Sequence, residues 1–390
     1  MKKLFAFIMV LAITATTFFG CQNAVPEESA TTATEVQEKS LTELLDDTAD
    51  DCGFIGTMRV YYNGKIQYEC NRGFADKDKE IQNSPEKIYR IGSLSKQFAA
   101  GGICILKDEG KLDFSDPVSK YFPGCSYGDK VTIRHLLNMT SGIPDFFSDF
   151  DNNKTYTEDE IDIDVSADNT AQQNRDLIEK WILSQDLIFE PGTKFCYCNS
   201  NYALLGRIIE KVSGKSYESF ITERILEPLK MTSTSFDFNN LNTKGYLKDY
   251  MFKSVKTEEQ FLAKEYYEWT LYPGICTAFA DMCSSVEDLY KWLTALKNGE
   301  VVKAETYEAM IENNESGDGF GYGFGFMVSG DVCLHTGALG SYQSEILFRR
   351  DKDLTIIVLT NTFKDGFYKE VCHKLYQEIS LHHELLDQKA

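Results

Sequence analysis

The sequence predicts an α+β protein of two lobes: an antiparallel sheet assembled from both ends of the chain and flanked by helices, and a mainly helical lobe inserted at about residues 110–310. Three observations carry this reading. A hairpin pattern lies near the N-terminus, strand patterns resume after about residue 318, and the stretch from roughly 130 to 300 is helical in pattern. With 390 residues, 43% of them hydrophobic, the chain is long enough for one large domain or two modest ones.

The elements follow in order. Residues 1–20 read as a signal peptide: Lys2 and Lys3 precede an apolar run, Leu4 to Phe19, that contains three threonines and is short for a membrane span. The run ends at Gly20-Cys21, which resembles a bacterial lipoprotein cleavage site and implies that Cys21 becomes a lipid anchor; the alternative is an ordinary signal peptide with an incidental cysteine. Residues 21–40 read as the lipidated cysteine and a flexible tether, and 41–390 as the folded domain. Ile55 to Tyr62 and Lys65 to Glu69 form a hairpin about Asn63-Gly64. Leu94 to Leu106 reads as a buried helix closed by Gly110, Asn201 to Val212 as a helix ended by Gly214, and Ser285 to Lys297 as a helix with a capping box through Asp288. Asp145 to Asp168, with nine acidic residues and one lysine, reads as a solvated surface insert. Gly321 to Val328, Asp331 to His335, Ser344 to Phe348 and Leu354 to Thr360 are strands, and Phe367 to Leu386 is a closing helix. A ligand site is expected where the lobes meet.

Net charge is −20, and loss of the two leader lysines would make the remaining chain more acidic still. Such a surface argues against nucleic acid and against electrostatic attachment to anionic lipid, so a membrane partner would be held through the Cys21 anchor. Apart from Cys21, ten cysteines remain, several within apolar runs; both disulfides and buried thiols are open.

Two Ser-x-x-Lys matches occur. Ser84 to Lys87 lies in a polar stretch and reads as a turn, whereas Ser93-Leu94-Ser95-Lys96 follows the largely apolar run Ile88 to Ile91 and opens the buried helix. Helical spacing puts Ser93 and Lys96 on one face, and burial of an amine lowers its pKa towards that of a working base for the serine hydroxyl. Tyr197-Cys198-Asn199 adds a phenol able to shuttle a proton and a carboxamide able to hold the lysine and a substrate amide. His335-Thr336-Gly337 lies at a strand end, where Gly337 admits a substrate backbone.

In this order, and with flanks such as Ile133 to Pro144, Pro191-Gly192-Thr193 and Ile357 to Asn361, the three motifs resemble the penicillin-recognising serine hydrolases, in the branch of class C β-lactamases and DD-peptidases. The resemblance spans about residues 45 to 380 and implies a β-lactamase/transpeptidase-like fold. It implies Ser93 as nucleophile, Lys96 and Tyr197 sharing the general-base and general-acid work, Asn199, His335, Thr336 and Gly337 as substrate-binding residues, and an oxyanion hole from the backbone N–H groups of Ser93 and Ala338. His335 stands where class C β-lactamases carry lysine, which weakens the grip on a substrate carboxylate, although some DD-peptidases and esterases of the family carry histidine there. His135 belongs to a family loop and reads as structural. Cys196 and Cys198 invite a metal, but without accompanying ligands packing is favoured; no metal or other cofactor is expected. Asp281 departs from a glycine-rich family segment.

The expected function is that of a serine hydrolase, with a small-molecule or peptide substrate: a cell-wall peptide of the DD-peptidase type, an ester or a β-lactam. A class C-like β-lactamase is one alternative and a non-catalytic penicillin-binding sensor lipoprotein another. Specificity is expected to lie in 145–168 and 236–275. A monomer is favoured, at the outer face of a bacterial membrane or secreted.

Overall fold

The computed structural model describes residues 39–149, 154–155, 162–244, 246–247, 272–314, 320–363 and 371–387. Helix α1 (Leu41–Asp51) leads into strands β1 (Gly56–Tyr62) and β2 (Lys65–Arg72). Asn63 and Gly64 both take positive φ, the requirement of a tight two-residue hairpin turn. A short strand β3 (Tyr89–Arg90) pairs with β4 (Cys283–Ser284). Between them come helix α2 (Ser95–Asp108) and helix α3 (Asn199–Ser213), with further helices around these two, Ala171–Ser184 included. Helix α4 (Val286–Lys297) follows, then strands β5 (Gly321–Tyr322), β6 (Met327–Ser329), β7 (Val332–Leu339), β8 (Tyr342–Arg349) and β9 (Leu354–Thr360), and helix α5 (Cys372–Leu381).

Seven strands form one antiparallel sheet in the order β5-β6-β7-β8-β9-β1-β2, so the N-terminal hairpin joins the C-terminal strands through β1 and β9. Strand β9 is buried along its whole length, as its continuous apolar sequence requires. Its alternate residues face two cores. Ile356 and Val358 pack with α1 and α5, while Ile357 and Leu359 join the larger core with α2, α3 and α4. The sheet is thus the middle layer, and its inner face meets α2.

Several boundaries differ from the sequence expectations. Ser93 lies in a 3₁₀ turn, Gly92–Leu94, and the α-helix begins at Ser95. Gly92 has φ +49, and a Cβ there would stand 2.6 Å from the amide nitrogen of Ala338, so a close backbone crossing sets the turn. Helix α3 starts two residues early, at Asn199. Gly321 to Val328 is two short strands, broken where Gly325 (φ +80) packs against the backbone of Gln97. Ser285 accepts the Asp288 amide, but the Asp288 carboxylate turns instead to the Ser233 amide and Thr234, so the reciprocal half of the box is replaced by a tertiary contact. The closing helix stops at Leu381 and a short helix, Glu384–Asp387, follows; the His382-His383 pair between them is a poor helix former. Phe367 to Glu370 lie outside the described residues, as do the leader, Cys21 and the tether up to residue 38.

Among the described residues every cysteine is a free thiol, and no helix is long and apolar enough to cross a membrane. Ser84 to Lys87 is the expected turn, closed by a bond from the Lys87 amide to the Ser84 carbonyl.

Candidate active site

The fold brings the 3₁₀ turn, the start of α3, the middle of β7 and the turn Cys276–Asp281 together. Lys96 is fully buried. Its Nζ lies 3.1 Å from Ser93 Oγ, 2.8 Å from Asn199 Oδ1 and 3.1 Å from the carbonyl oxygen of Phe279. Burial lowers its pKa to about 7, with the Asp145 carboxylate pulling the other way. The two oxygens on Asn199 and Phe279 can only accept. A neutral amine therefore gives them its two N–H bonds and leaves its lone pair for the Ser93 hydroxyl. That is the geometry of a general base for a serine nucleophile.

Tyr197 sits over the same amine, its ring centroid 4.9 Å from Lys96 Nζ. Burial pushes the phenol pKa up, against a hydrogen bond with Ser93 that lowers it. The phenol thus stays protonated at neutral pH and can hand on a proton, while the base is the amine.

Asn199 is held from a distance. Its amide donates to the Asp145 carboxylate, which caps α3 at its N-terminus; Cys198, at the cap position, supplies no side-chain bond. This cap lies 54 residues upstream, which explains the early helix start. It also corrects the reading of Asp145 as part of a solvated insert: its Oδ1 accepts from Phe147, and it faces the buried lysine. Further along, Ile163 and Val165 are buried, while 150–153 and 156–161 lie outside the described residues. Ser141 and Pro144 bond to Asn201 and Ser200, fastening the segment ahead of Asp145 to α3. His135 belongs to a capping box with Thr132 at the helix Ile133–Leu137, as the structural reading expects. Cys198 is buried and donates to the Ile143 carbonyl.

The strand β7 passes close beneath the turn. A Cβ on Gly337 would meet Ile91 O, stand 2.5 Å from Ser344 Oγ and 3.0 Å from the Ser93 amide nitrogen. Only glycine fits, and a Cβ on Gly92 would likewise meet the Ala338 amide nitrogen, so the serine turn and β7 cross in backbone contact. Thr336 is half-buried and Ala338 exposed. His335, in contrast, is buried, and both its ring nitrogens are occupied: Nδ1 lies 2.7 Å from the Thr336 carbonyl oxygen and Nε2 2.9 Å from the Tyr322 hydroxyl. The carbonyl can only accept, so Nδ1 carries the proton and Nε2 accepts from Tyr322. Burial, with Lys96 nearby, lowers the His335 pKa to about 3, so the ring is neutral. The strand also continues through the motif to Leu339 instead of ending there.

The turn that supplies Phe279 O is under local constraint. Ala278 has φ +70, unusual for a residue with a side chain, and its amide donates to Asp281 Oδ2 at 3.2 Å. Burial and Glu218 raise the Asp281 pKa to about 8. Ser95 ties this turn to the serine turn, donating to Gly92 O and accepting from the Met282 amide.

A family model described as Beta-lactamase matches residues 41–380. The chain belongs to the beta-lactamase family. Penicillin-binding protein 4* of Bacillus subtilis (strain 168) is 28% identical over 88% of this chain and 76% of its own length. Protein flp of Staphylococcus aureus (strain MRSA252) is 30% identical over 81% of this chain; the match spans 61% of that longer protein. Among solved structures, a penicillin-binding protein from Bacillus halodurans superposes with a TM-score of 0.69 at 23% identity, covering 86% of this chain and 98% of that one. D-amino acid amidase from Ochrobactrum anthropi SV3 gives 0.68 at 23% identity, over 87% and 98%. The fold is therefore the β-lactamase/transpeptidase-like one, an antiparallel sheet with helices.

Asp145, Ser95, Tyr322 and the Phe279 carbonyl were not singled out by sequence. The carbonyl leaves no side-chain signal, Asp145 acts on a partner 54 residues along the chain, and Tyr322 reaches His335 only across the sheet.

Proposed function

We propose that the chain is a serine hydrolase forming an acyl-enzyme on Ser93, acting on D-amino-acid peptides or amides, or on small esters. One observation carries the reading: Lys96 Nζ lies 3.1 Å from Ser93 Oγ while acceptor-only oxygens take its other two directions. In this mechanism Lys96 takes the Ser93 proton as Oγ bonds to the substrate carbonyl carbon. The amides of Ser93 and Ala338 receive the developing oxyanion. Tyr197 passes a proton to the leaving amine or alcohol as its bond to carbon breaks, and is reprotonated from Lys96. Water then attacks the ester, gives up a proton to the same amine, and Ser93 leaves with its proton restored.

The names of the penicillin-binding and D-amino acid amidase relatives favour this substrate class. The test is labelling with a fluorophosphonate and a fluorescent penicillin, followed by peptide mapping, with Ser93→Ala alongside. Label on the peptide containing Ser93, absent in the variant, is the expected result; folded wild-type protein that takes no label overturns the proposal. A panel of D-Ala-D-Ala peptide, short-chain nitrophenyl esters and nitrocefin then separates peptidase, esterase and β-lactamase. Attachment to the outer face of a bacterial membrane through lipidated Cys21 belongs to the same proposal, and is tested by palmitate incorporation that is lost in Cys21→Ser.

A further inference from the structure

We infer that Arg90 binds a carboxylate of the substrate at the hairpin end of β7, beyond Ala338; the inference rests on the acyl-enzyme reading of Ser93. Arg90 precedes Ser93 by three residues, on β3. Its guanidinium lies 4.2 Å from the ring centroid of Phe238 and 5.8 Å from that of Tyr342. Tyr342 opens β8 directly after the hairpin that follows Ala338, and pairs with Leu339. The residue after Arg90, Ile91, accepts a hydrogen bond from Ser344 Oγ of β8, and its carbonyl lies against Gly337 beside the Ser93 amide, so the segment that carries Arg90 runs directly into the serine turn.

What marks Arg90 is the lack of any acceptor among the described residues. Every other arginine of the chain has a carboxylate oxygen within 3.9 Å. This is a chain of 60 acidic and 40 basic residues, so counter-ions are plentiful. Yet among the described residues Arg90 enters no ion pair, and its enclosed Nε has no hydrogen-bond partner there. The titratable groups facing it are Tyr342, Cys276 and Cys283, and burial raises both thiols. Both thiols therefore stay protonated, and the Tyr342 hydroxyl donates to the Thr243 carbonyl. The two rings offset part of the cost of holding the charge out of water, but they leave the planar fork of N–H donors unfilled. That fork matches a carboxylate in two parallel bonds. Residue 335, where the motif leads one to look for a carboxylate partner, is a neutral ring with both nitrogens taken. Arg90 lies towards the other end of the strand, so the anion it meets belongs to the part of the substrate that runs past Ala338.

The experiment compares three esters on wild-type, Arg90→Met and Arg90→Lys: p-nitrophenyl butyrate, mono-p-nitrophenyl succinate with the carboxylate on the acyl side, and the butyrate ester of 3-hydroxybenzoate with it on the leaving group. One carboxylate ester should lose about 10- to 100-fold in kcat/KM in Arg90→Met, the worth of a charge-assisted pair, while the neutral ester changes less than about threefold. Arg90→Lys should fall between, and which ester responds tells which side of the scissile bond lies there. Fluorophosphonate labelling of each variant checks that the site is intact, and succinate should slow labelling of the wild type. Equal losses for all three esters, or no effect of succinate, overturns the inference. Absence of labelling in the wild type overturns the acyl-enzyme reading instead.

Discussion

Two stretches of strand β7 (Val332–Leu339) handle polar groups in opposite ways. At His335 every hydrogen-bonding atom of the ring is taken up inside the protein, by Tyr322 and by the neighbouring carbonyl. Past Ala338, the hairpin sets the Tyr342 ring against a guanidinium that meets no acceptor among the described residues. The contrast teaches that membership of a motif and availability to a ligand are separate properties. His335 braces strand β7 from inside, whereas Arg90, outside any motif, leaves its donors without an acceptor among the described residues.

The hinge of the comparison is Gly337, between the two stretches. Gly337→Ala would force a methyl onto Ile91 O and within 3.0 Å of the Ser93 amide nitrogen, pushing β7 away from the serine turn. Displacing an oxyanion donor costs on the order of 10²–10³ in rate, so Ser93 labelling should slow by at least about 10²-fold, with a lowered melting temperature. Ala338→Ser, at an exposed neighbour, should leave both almost unchanged. A Gly337→Ala protein that labels at the wild-type rate would show that the close crossing is not what positions the hole.

The pH profile separates the working amine from the bracing ring. In the proposed mechanism Lys96 must be neutral to act, and burial lowers its pKa to about 7. The rate of Ser93 acylation should therefore fall about tenfold per pH unit on the acid side of 7. His335 stays neutral down to about 3 and should add no limb of its own near 6.5. Its effect falls on stability. The unfolded ring takes a proton below about 6.5 and the folded one does not, so unfolding binds protons across that window. Stability should be complete above 6.5 and decline as pH falls towards 3, and His335→Gln should soften that decline in thermal melts. A second kinetic limb near 6.5 that vanishes in His335→Gln would contradict the neutral ring.

Tyr322→Phe tests the brace directly. It strands the buried Nε2 acceptor, at a cost of about 1–3 kcal/mol by denaturant titration. Because the phenol touches no reacting atom, acylation by a neutral ester should change much less. Unchanged stability would mean that the Tyr322 bond does not hold His335.

The division between legible and hidden features has a physical basis. The sheet could be read because its strands are bounded by turn residues, as at Asn63-Gly64, and because β9 (Leu354–Thr360) is apolar throughout. Ser93 and Lys96 share a helical spacing, Tyr197 and Asn199 belong to a second short motif, and the structure brings Lys96 within hydrogen-bond reach of both Ser93 and Asn199. The start of α3 (Asn199–Ser213) could not be read, since its cap comes from Asp145 across the fold. Nor could the Phe279 carbonyl, a backbone atom presented by a turn in which Ala278 adopts a glycine-like conformation. The partner of His335 Nε2 is Tyr322, which only the pairing of β5 with β6 and of β6 with β7 brings near.

The smallest expected effect concerns Asp145, which joins the cap to the electrostatics of the lysine. Asp145→Asn keeps an oxygen able to accept the Asn199 amide, so α3 should still begin where it does. It removes the negative charge that holds the Lys96 pKa up against burial. The acid limb of the acylation profile should therefore move to lower pH, by less than about one unit for a single part-screened charge. Asp145→Ala should show the same shift together with a loss of about 1 kcal/mol from the missing cap. A limb that moves upward in Asp145→Asn would mean that the carboxylate acts on Lys96 through position, by way of Asn199, and not through its charge.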